Sequence, residues 1–195
     1  MSNFSDRLIQ WQKLYGRHGL PWQIKDPYAR WISEVMLQQT QVVTVIDYYH
    51  RFMDRFPTVS ELAAASEDEV MRYWAGLGYY TRARNLHKAA KIIVDIYRGV
   101  FPTTRQEWEA LPGVGQSTAA AVTAFSFGAK EAILDGNVKR VLARNFAIEK
   151  PMTTQVKKEF WALAQSLLPE NDIESYTQGL MDLGATVCTR TPQCL

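Results

Sequence analysis

The chain has 195 residues, of which 47% are hydrophobic and 22% are charged. This composition is typical of a globular protein with a sizeable core, and it excludes disordered, collagen-like and coiled-coil chains. Because 22 basic side chains oppose 20 acidic ones, the net charge is only +2, so any contact with nucleic acid has to come from a local patch. No apolar run approaches the roughly 20 residues of a membrane helix, and the first residues lack the layout of a signal peptide. We therefore expect a cytoplasmic protein without a membrane partner.

Apolar residues recur at intervals of three and four along most of the chain, which is the spacing of an amphipathic helix. Two further helix starts are indicated by a side-chain oxygen followed three residues later by a glutamate, at Ser66 with Glu69 and at Thr104 with Glu107. We find no convincing two-residue period of a strand. The sequence therefore predicts an all-α protein of about ten short helices. The apolar spacing places helices at 4–15, 42–56, 83–97, 138–142, 156–167 and 173–183.

A glycine-containing turn joins two predicted helices near the middle of the chain. Residues 111–118 read LPGVGQST, and two glycines one residue apart permit positive backbone dihedrals and a bare backbone. Successive N–H groups beside a helix N-terminus can bind a phosphate without positive side chains. Taken alone, Gly-x-Gly between helices is more often a plain structural turn. The residues of this candidate phosphate-binding turn are Leu111, Gly113, Val114, Gly115, Gln116 and Ser117.

Two carboxylates are candidates for chemistry at a glycosidic bond. Glu34 lies between apolar neighbours, and a half-buried carboxyl there would have a raised pKa, which keeps a proton available for a leaving group. Asp135 precedes Gly136 and can cap a helix while staying ionised, the state that stabilises a positively charged sugar. The alternatives are an ordinary solvated glutamate and a purely structural cap.

Several segments together closely resemble the adenine DNA glycosylase (MutY) family of the helix-hairpin-helix base-excision repair superfamily. The resemblance covers nearly the whole chain. Its components are LPW at 20–22, SEVMLQQTQV at 33–42, GLGYY at 76–80, RARNL at 82–86, the turn at 111–118, LDGNV at 134–138 and MDLG at 181–184. The resemblance implies a monomeric DNA repair enzyme that hydrolyses the N-glycosidic bond of adenine mispaired with 8-oxoguanine or guanine in double-stranded DNA.

The same resemblance implies the helix-hairpin-helix DNA glycosylase fold, an all-α fold of two helical lobes with the active site in the cleft between them. Residues 26–132 would form a six-helix barrel lobe that carries the hairpin. Residues 1–25 and 133–195 would form the second helical lobe. Glu34 and Asp135 would then face one cleft from different lobes.

The family's catalytic roles map onto three positions. Glu34 would protonate adenine at N7 and then help to activate water, acting on a base that is flipped out of the duplex. Asp135 would stabilise the oxocarbenium-like sugar. Asn137 would help to position this region.

Other positions would contact DNA. By resemblance, Gln38 and Gln39 enter the emptied base stack or lie beside the lesion, and Tyr79 wedges near the partner base. On pattern alone, the glutamines could equally be solvated and Tyr79 could be a core residue. A basic helix could also face phosphates, although a charge-rich helix face is more often simply solvated. Its residues are Arg82, Arg84, His87, Lys88 and Lys91.

Ser117 distinguishes between subfamilies. Endonuclease III, a relative that releases oxidised pyrimidines and then nicks the strand, has a lysine just after this hairpin, and a hydroxyl cannot form the Schiff base that an amine forms. We therefore expect a monofunctional glycosylase that leaves an abasic site. The alternatives are an endonuclease III-like pyrimidine glycosylase and lyase, or a catalytically silent fragment that binds DNA lesions.

The two cysteines, Cys188 and Cys194, are the candidate metal ligands, and their number marks a departure from the family. The intact family holds a [4Fe–4S] cluster with four cysteines, and two thiolates cannot complete that ligand set. We therefore expect the cluster to be absent or incomplete, through truncation or through loss in this member. The family's C-terminal domain that reads 8-oxoguanine is also absent, which predicts a weaker preference for the oxidised partner. The three histidines lack the spacing of a metal site, and no zinc is predicted.

Overall fold

A computed structural model describes residues 3–192 of the chain. Within this range the regular structure consists of eleven α-helices, which confirms the prediction of an all-α protein. No described helix is long and apolar enough to cross a membrane. The helices are α1 (Phe4–Tyr15), α2 (Pro27–Leu37), α3 (Val42–Arg55), α4 (Val59–Ala64), α5 (Glu67–Trp74), α6 (Thr81–Asp95), α7 (Arg105–Glu109), α8 (Gln116–Phe127), α9 (Gly136–Asn145), α10 (Thr154–Ser166) and α11 (Ile173–Thr186).

The helices divide into two compact units. One unit is contiguous, Gly19–Phe127, and contains α2 to α8. The other combines the described residues of Met1–His18 with those of Gly128–Leu195, and it contains α1 and α9 to α11. The observed boundaries, at 19 and 127, fall a few residues before those expected from the resemblance, at 26 and 132.

Helix α2 is buried on most of its circumference, which is why its apolar spacing does not single it out as a helix. Asp26 accepts a hydrogen bond from the backbone N–H of Tyr28, and Pro27 occupies the first turn, so both residues favour a helix start here. Even the charged Arg30 is buried, with its guanidinium 4.2 Å from the centre of the Phe125 ring. This burial fixes the orientation of α2 within its unit.

Aromatic side chains dominate the core of the Gly19–Phe127 unit. Trp31, Trp74 and Trp108 are all fully buried. The rings of Trp31 and Trp108 lie 5.7 Å apart, and the indole N–H of Trp108 donates to the carbonyl of Pro102 at 2.7 Å. Helix α2 packs against α3 and α8, while α6 packs against α4 and α5. The burial of such large rings is the principal stabilising contribution to a core of this kind.

Only one of the two expected capping boxes is complete. Thr104 and Glu107 exchange both hydrogen bonds of the box at the start of α7, as predicted. Ser66 caps α5 by accepting from the backbone N–H of Glu69. The Glu69 carboxylate instead pairs with Arg55 of α3, at 2.5 Å from its Nη2 atom. A long-range ion pair has therefore replaced the local half of that motif.

A buried carboxylate joins the two chain segments of the other unit. Helix α11 packs against both α1 and α9. Asp182 of α11 is fully buried and accepts hydrogen bonds from the backbone N–H of Arg17 at 2.9 Å, from Arg17 Nε at 2.7 Å and from the Gln178 amide at 2.9 Å. These bonds compensate the cost of removing the carboxylate from water. They also place the residues that follow α1 against α11.

Candidate nucleic-acid interface and active-site residues

Glu34 lies in the last turn of α2, between the buried residues Ser33 and Val35. Its side chain is half-buried, as the apolar flanking residues predict. The carbonyl groups of a helix end carry a partial negative charge, so this position disfavours an additional negative charge. Glu34 is therefore a half-buried carboxyl at the C-terminal end of a helix.

The glutamines that follow α2 differ in their settings. The Gln38 side-chain amide donates to the Thr118 hydroxyl at 3.2 Å, which joins the end of α2 to the first turn of α8. Gln39 is exposed and has a φ of 59°, a left-handed conformation that costs energy in any residue other than glycine. Gln38 is thus held by a contact within the unit, whereas Gln39 is exposed to solvent on a strained backbone.

Tyr79 repeats the setting of Gln39 in another loop. It has a φ of 49°, and 60% of its surface is exposed. The alternative that Tyr79 is a core residue is therefore wrong. An exposed aromatic ring on a strained backbone fits a binding role better than a packing role.

Arg82, in the first turn of α6, does not face solvent. Its side chain is half-buried, with the guanidinium 5.3 Å from the ring centres of both Trp74 and Tyr79. Its Nη1 and Nη2 atoms donate to carbonyl oxygens at the end of α2 and in the loop before α6. The acceptors are Val35 at 3.0 Å, Met36 at 2.8 Å, Gln38 at 2.5 Å, Leu77 at 3.3 Å and Gly78 at 3.1 Å.

The prediction of a basic helix face along α6 is therefore only partly right. It is wrong for Arg82, which is turned inward, and for His87, which is buried. Arg84 is exposed and pairs with Glu67 at 3.2 Å. Lys88 and Lys91 are also exposed. The positive charges that α6 presents to solvent are therefore those of Arg84, Lys88 and Lys91, and not that of Arg82 beside the preceding loop.

The turn between α7 and α8 is anchored by its apolar residues and exposes its glycines. Leu111 and Val114 are buried, and the Val114 N–H donates to the Leu111 carbonyl at 3.2 Å. Gly113 has a φ of 76°, and a Cβ atom added there would lie 2.7 Å from Cβ of Asn85 on α6. The expectation of positive dihedrals holds for Gly113 and not for Gly115, which lies immediately before α8.

The N-terminus of α8 follows this turn directly. The first turn contains Gln116, which is exposed, Ser117, which is half-buried, and Thr118, which accepts the bond from Gln38. Amide groups in the first turn of a helix have no carbonyl partner within that helix, and the helix dipole adds positive potential. The geometry of a phosphate-binding helix start is therefore present.

Asp135 lies at the start of α9 in the other unit. Its Oδ1 atom accepts from the backbone N–H of Val138 at 2.8 Å, so the predicted helix cap is confirmed. Asn137 follows within the first turn, and its Oδ1 accepts from Arg140 Nη2 at 2.7 Å. A Cβ atom added to Gly184 of α11 would lie 2.6 Å from Cβ of Asn137. The position of Asn137 is thus fixed from two sides.

Two arginines of α9 bind the backbone of the last turn of α11 and of the residues that follow it. Arg140 donates to the carbonyls of Gly184 at 2.5 Å and Cys188 at 2.6 Å. Arg144 Nη1 donates to the Sγ atom of Cys188 at 3.3 Å and to the carbonyl of Thr189 at 2.6 Å. The buried Cys188 is therefore held within a hydrogen-bond network that also reaches Asn137.

The residues present do not complete an iron–sulfur site. The sequence has two cysteines, whereas a [4Fe–4S] cluster takes four thiolate ligands. Cys188 already accepts a hydrogen bond from Arg144, and Cys194 lies outside the described residues. Among residues 3–192, no group of three or more histidine, cysteine and carboxylate side chains could hold a metal ion.

Sequence reasoning missed the residues that connect these segments. Arg82 binds the Gln38 carbonyl, Asn85 packs against Gly113 and Arg140 binds the Cys188 carbonyl, and all three contacts join segments that are distant in sequence. The available signal for Arg82 and Asn85 is their place in the RARNL motif at 82–86, although a motif does not reveal whether a side chain points inward or outward; Arg140 lies outside the motifs.

Comparisons with known proteins place these features in a family context. Residues 32–166 match the family model described as the HhH-GPD superfamily base excision DNA repair protein. The chain is 45% identical over 193 residues to an adenine DNA glycosylase of Buchnera aphidicola subsp. Baizongia pistaciae, covering 98% of this chain and 55% of that protein. It is 43% identical over 203 residues to the adenine DNA glycosylase of Homo sapiens, covering 98% of this chain and 37% of that protein. The chain thus spans about half, or less, of the length of these curated relatives.

Solved structures agree with the all-α fold. A thermostable thymine-DNA glycosylase superposes with a TM-score of 0.89 at 30% identity, covering 98% of this chain and 89% of that one. An endonuclease III in a non-covalent DNA complex superposes with a TM-score of 0.81 at 23% identity, covering 97% of this chain and 87% of that one. The second likeness concerns the fold alone.

Proposed function

Since the chain belongs to the HhH-GPD superfamily of base excision DNA repair proteins, we propose that it forms the catalytic part of an adenine-specific DNA glycosylase. It hydrolyses the N-glycosidic bond of adenine opposite 8-oxoguanine or guanine in double-stranded DNA within the cell. The observation that carries the proposal is the pair of carboxylates, Glu34 half-buried in a helix end and Asp135 at a helix start. High identity to proteins named adenine DNA glycosylase supports the choice of base.

The two carboxylates take different roles because their backbone settings differ. Glu34, in the last turn of α2, protonates adenine at N7 so that the base leaves as a neutral molecule, and it then helps to activate water. Asp135 remains an anion beside the first N–H groups of α9 and stabilises the oxocarbenium-like sugar. Asn137, held by Arg140, helps to position this segment.

DNA contacts come from the other predicted positions. The turn formed by Leu111, Gly113, Val114 and Gly115 presents the N-terminus of α8, with Gln116 and Ser117, to a backbone phosphate. The exposed Gln39 and Tyr79, together with the half-buried Gln38, contact the base stack around the flipped nucleotide. Because Ser117 supplies a hydroxyl and no amine, the enzyme releases the base without cutting the strand.

The test is single-turnover release of adenine from a duplex that carries adenine opposite 8-oxoguanine. We expect base loss with the wild-type chain, revealed as strand breaks only after alkaline treatment. Glu34→Gln should lower the rate by about 10² to 10⁴-fold, which is the usual contribution of a general acid. Duplex affinity should be unchanged, because the substitution preserves size and hydrogen-bonding capacity. Glu149→Gln, at an exposed glutamate, is the matched control.

Other outcomes identify the competing functions. Strand cleavage without alkali would indicate a lyase of the endonuclease III kind. Tight binding without base loss in the wild type would indicate a lesion-binding fragment. The likeness to a thymine-DNA glycosylase favours thymine release as the second candidate, so a duplex with thymine opposite guanine is assayed in parallel. Thymine release that exceeds adenine release would overturn the proposed specificity.

A further inference from the structure

We propose that Arg82 is a positioning residue that holds Gln39 and Tyr79, two exposed residues on strained backbone, in one fixed arrangement. The consequence for DNA binding rests on the proposed function, whereas the arrangement itself does not. Both residues adopt left-handed φ angles, 59° for Gln39 and 49° for Tyr79. Each such conformation is energetically unfavourable for a residue other than glycine and persists only where surrounding contacts enforce it.

The enforcing contacts come from the same guanidinium. Arg82 Nη1 donates to the carbonyl of Gln38 at 2.5 Å, and this carbonyl belongs to the peptide group that precedes Gln39. Arg82 Nη2 donates to the carbonyl of Gly78 at 3.1 Å, and this carbonyl belongs to the peptide group that precedes Tyr79. One planar group therefore fixes the peptide plane in front of each left-handed residue.

The guanidinium is itself immobilised. Nη1 also donates to the last carbonyls of α2, and Nη2 donates to the Thr40 hydroxyl at 3.2 Å. The ring of Trp74 lies 5.3 Å away, and its indole N–H donates to the Gly78 carbonyl at 3.1 Å. With its position fixed, Arg82 sets the distance between the two loops before any partner binds. Such preorganisation reduces the entropy cost of binding.

Arginine is suited to this position and lysine is not. A guanidinium carries five N–H donors in a rigid plane, so its two outer nitrogens can serve two loops at the same time. A lysine ammonium is a compact group with three donors on a flexible stem, and it can satisfy one of the two loops but not both. The charge of Arg82 is therefore used inside the protein, on backbone carbonyls, rather than on DNA phosphates.

The first arm of the test uses the free protein. Hydrogen–deuterium exchange is measured on peptides covering 38–40 and 78–80 in the wild type, Arg82→Lys, Arg82→Met and the control Arg72→Met, an exposed arginine of the same unit. We expect both segments to exchange at least about tenfold faster in Arg82→Met, while peptides of α3 remain protected. Arg82→Lys, the variant less prone to unfolding, should release at least one of the two segments.

The second arm measures binding to a duplex with an abasic-site analogue opposite 8-oxoguanine over a range of salt concentrations. A positioning role predicts weaker binding in Arg82→Lys and Arg82→Met with an unchanged slope of log K against log salt. A direct phosphate contact would lower that slope by about one unit.

Three results would overturn the proposal: unchanged exchange in both segments, release of only one segment in Arg82→Met, or a reduced salt slope. Because the exchange arm needs no DNA, it still tests Arg82 if the wild-type chain releases no adenine. Failure of the proposed function and failure of this inference are therefore distinguishable.

Discussion

The two units hold their predicted site residues by different means. In the Gly19–Phe127 unit, α6 fixes segments that are distant in sequence, since Arg82 binds the backbone before Gln39 and Tyr79, and Asn85 packs against Gly113. In the other unit, Asp135 is fixed by the first turn of its own helix. The arrangement around Arg82 depends on tertiary contacts, whereas the cap at Asp135 is local; the neighbouring Asn137 is additionally packed against Gly184 of α11.

This difference predicts how substitutions propagate. A change at a residue that serves several loops should disturb all of them together, because their positions depend on one another. A change at a local cap can alter one property and leave the remainder of the unit unchanged. The role of Asp135 in chemistry and its role in stability can therefore be separated.

Asp135→Asn should give the largest separation of activity from stability. Asparagine caps helices about as well as aspartate, so the melting temperature should stay close to that of the wild type. The negative charge is lost, and we expect single-turnover adenine release to fall by about 100-fold or more, the usual scale for removal of one electrostatic contact to a transition state. Asp135→Ala should lose the activity and also about 1 kcal/mol of stability. Equal melting temperatures for the two variants would show that the cap contributes nothing.

Gly184→Ala tests the packing that fixes Asn137. The added Cβ would lie 2.6 Å from Cβ of Asn137 and 3.2 Å from its backbone, so α9 and α11 have to separate. We expect a loss of about 1 to 2 kcal/mol in the free energy of unfolding, as for other overpacked sites, together with slower base release. Urea denaturation followed by circular dichroism measures the first quantity.

Gly179→Ala is the matched control on the same helix. Its added Cβ would meet side-chain atoms of Leu8 and Gln12 at 3.1 to 3.3 Å, and these can shift more easily than backbone. We expect a smaller loss of stability than for Gly184→Ala, and no change in base release. A larger loss at Gly179 would mean that the contact with Asn137 is not the limiting one.

His87 gives the smallest effect, and it lies in the unit of Glu34. Its side chain is only 3% exposed. Burial, and next the charge of Lys91, lower the pKa of His87. The pKa of a histidine in the unfolded chain is about 6.5. As the pH decreases below this value, the unfolded chain binds a proton that the folded chain does not bind, so the free energy of unfolding decreases until the pH reaches the lowered pKa of the folded state. The slope cannot exceed about 1.4 kcal/mol per pH unit, which is the limit for one proton.

Unfolding at pH 7.5 and at pH 5.5 measures this loss. His87→Gln should flatten the pH dependence, whereas His50→Gln, at an exposed histidine, should leave it unchanged. Parallel curves for the wild type and His87→Gln would assign the pH dependence to other groups.

The features that were predictable from sequence are those set by neighbouring residues. The cap at Asp135, the box at Thr104 and the spacing of the amphipathic helices all depend on residues within one or two turns. The apolar spacing did not predict helix α2, because a helix that is buried on most sides has no distinct polar face. The expectation that Arg82 faces DNA phosphates fails for a related reason. Sequence gives the charge of a side chain, whereas tertiary packing decides which oxygen atoms it binds, here the carbonyls of Met36 and Leu77.

The hydrogen bond from the backbone of Arg17 to Asp182 spans 165 residues, and it bears on the order in which the protein assembles during synthesis. The ribosome completes Gly19–Phe127 before α9 to α11 exist, so this contiguous unit can fold while the chain is still growing. Helix α1 is synthesised before this unit, yet it buries Leu8 and Ile9 and packs against α11, which is synthesised after the unit. Helix α1 is thus made before the Gly19–Phe127 unit but covered after it, and in the interval its apolar face is open to water and to chaperones.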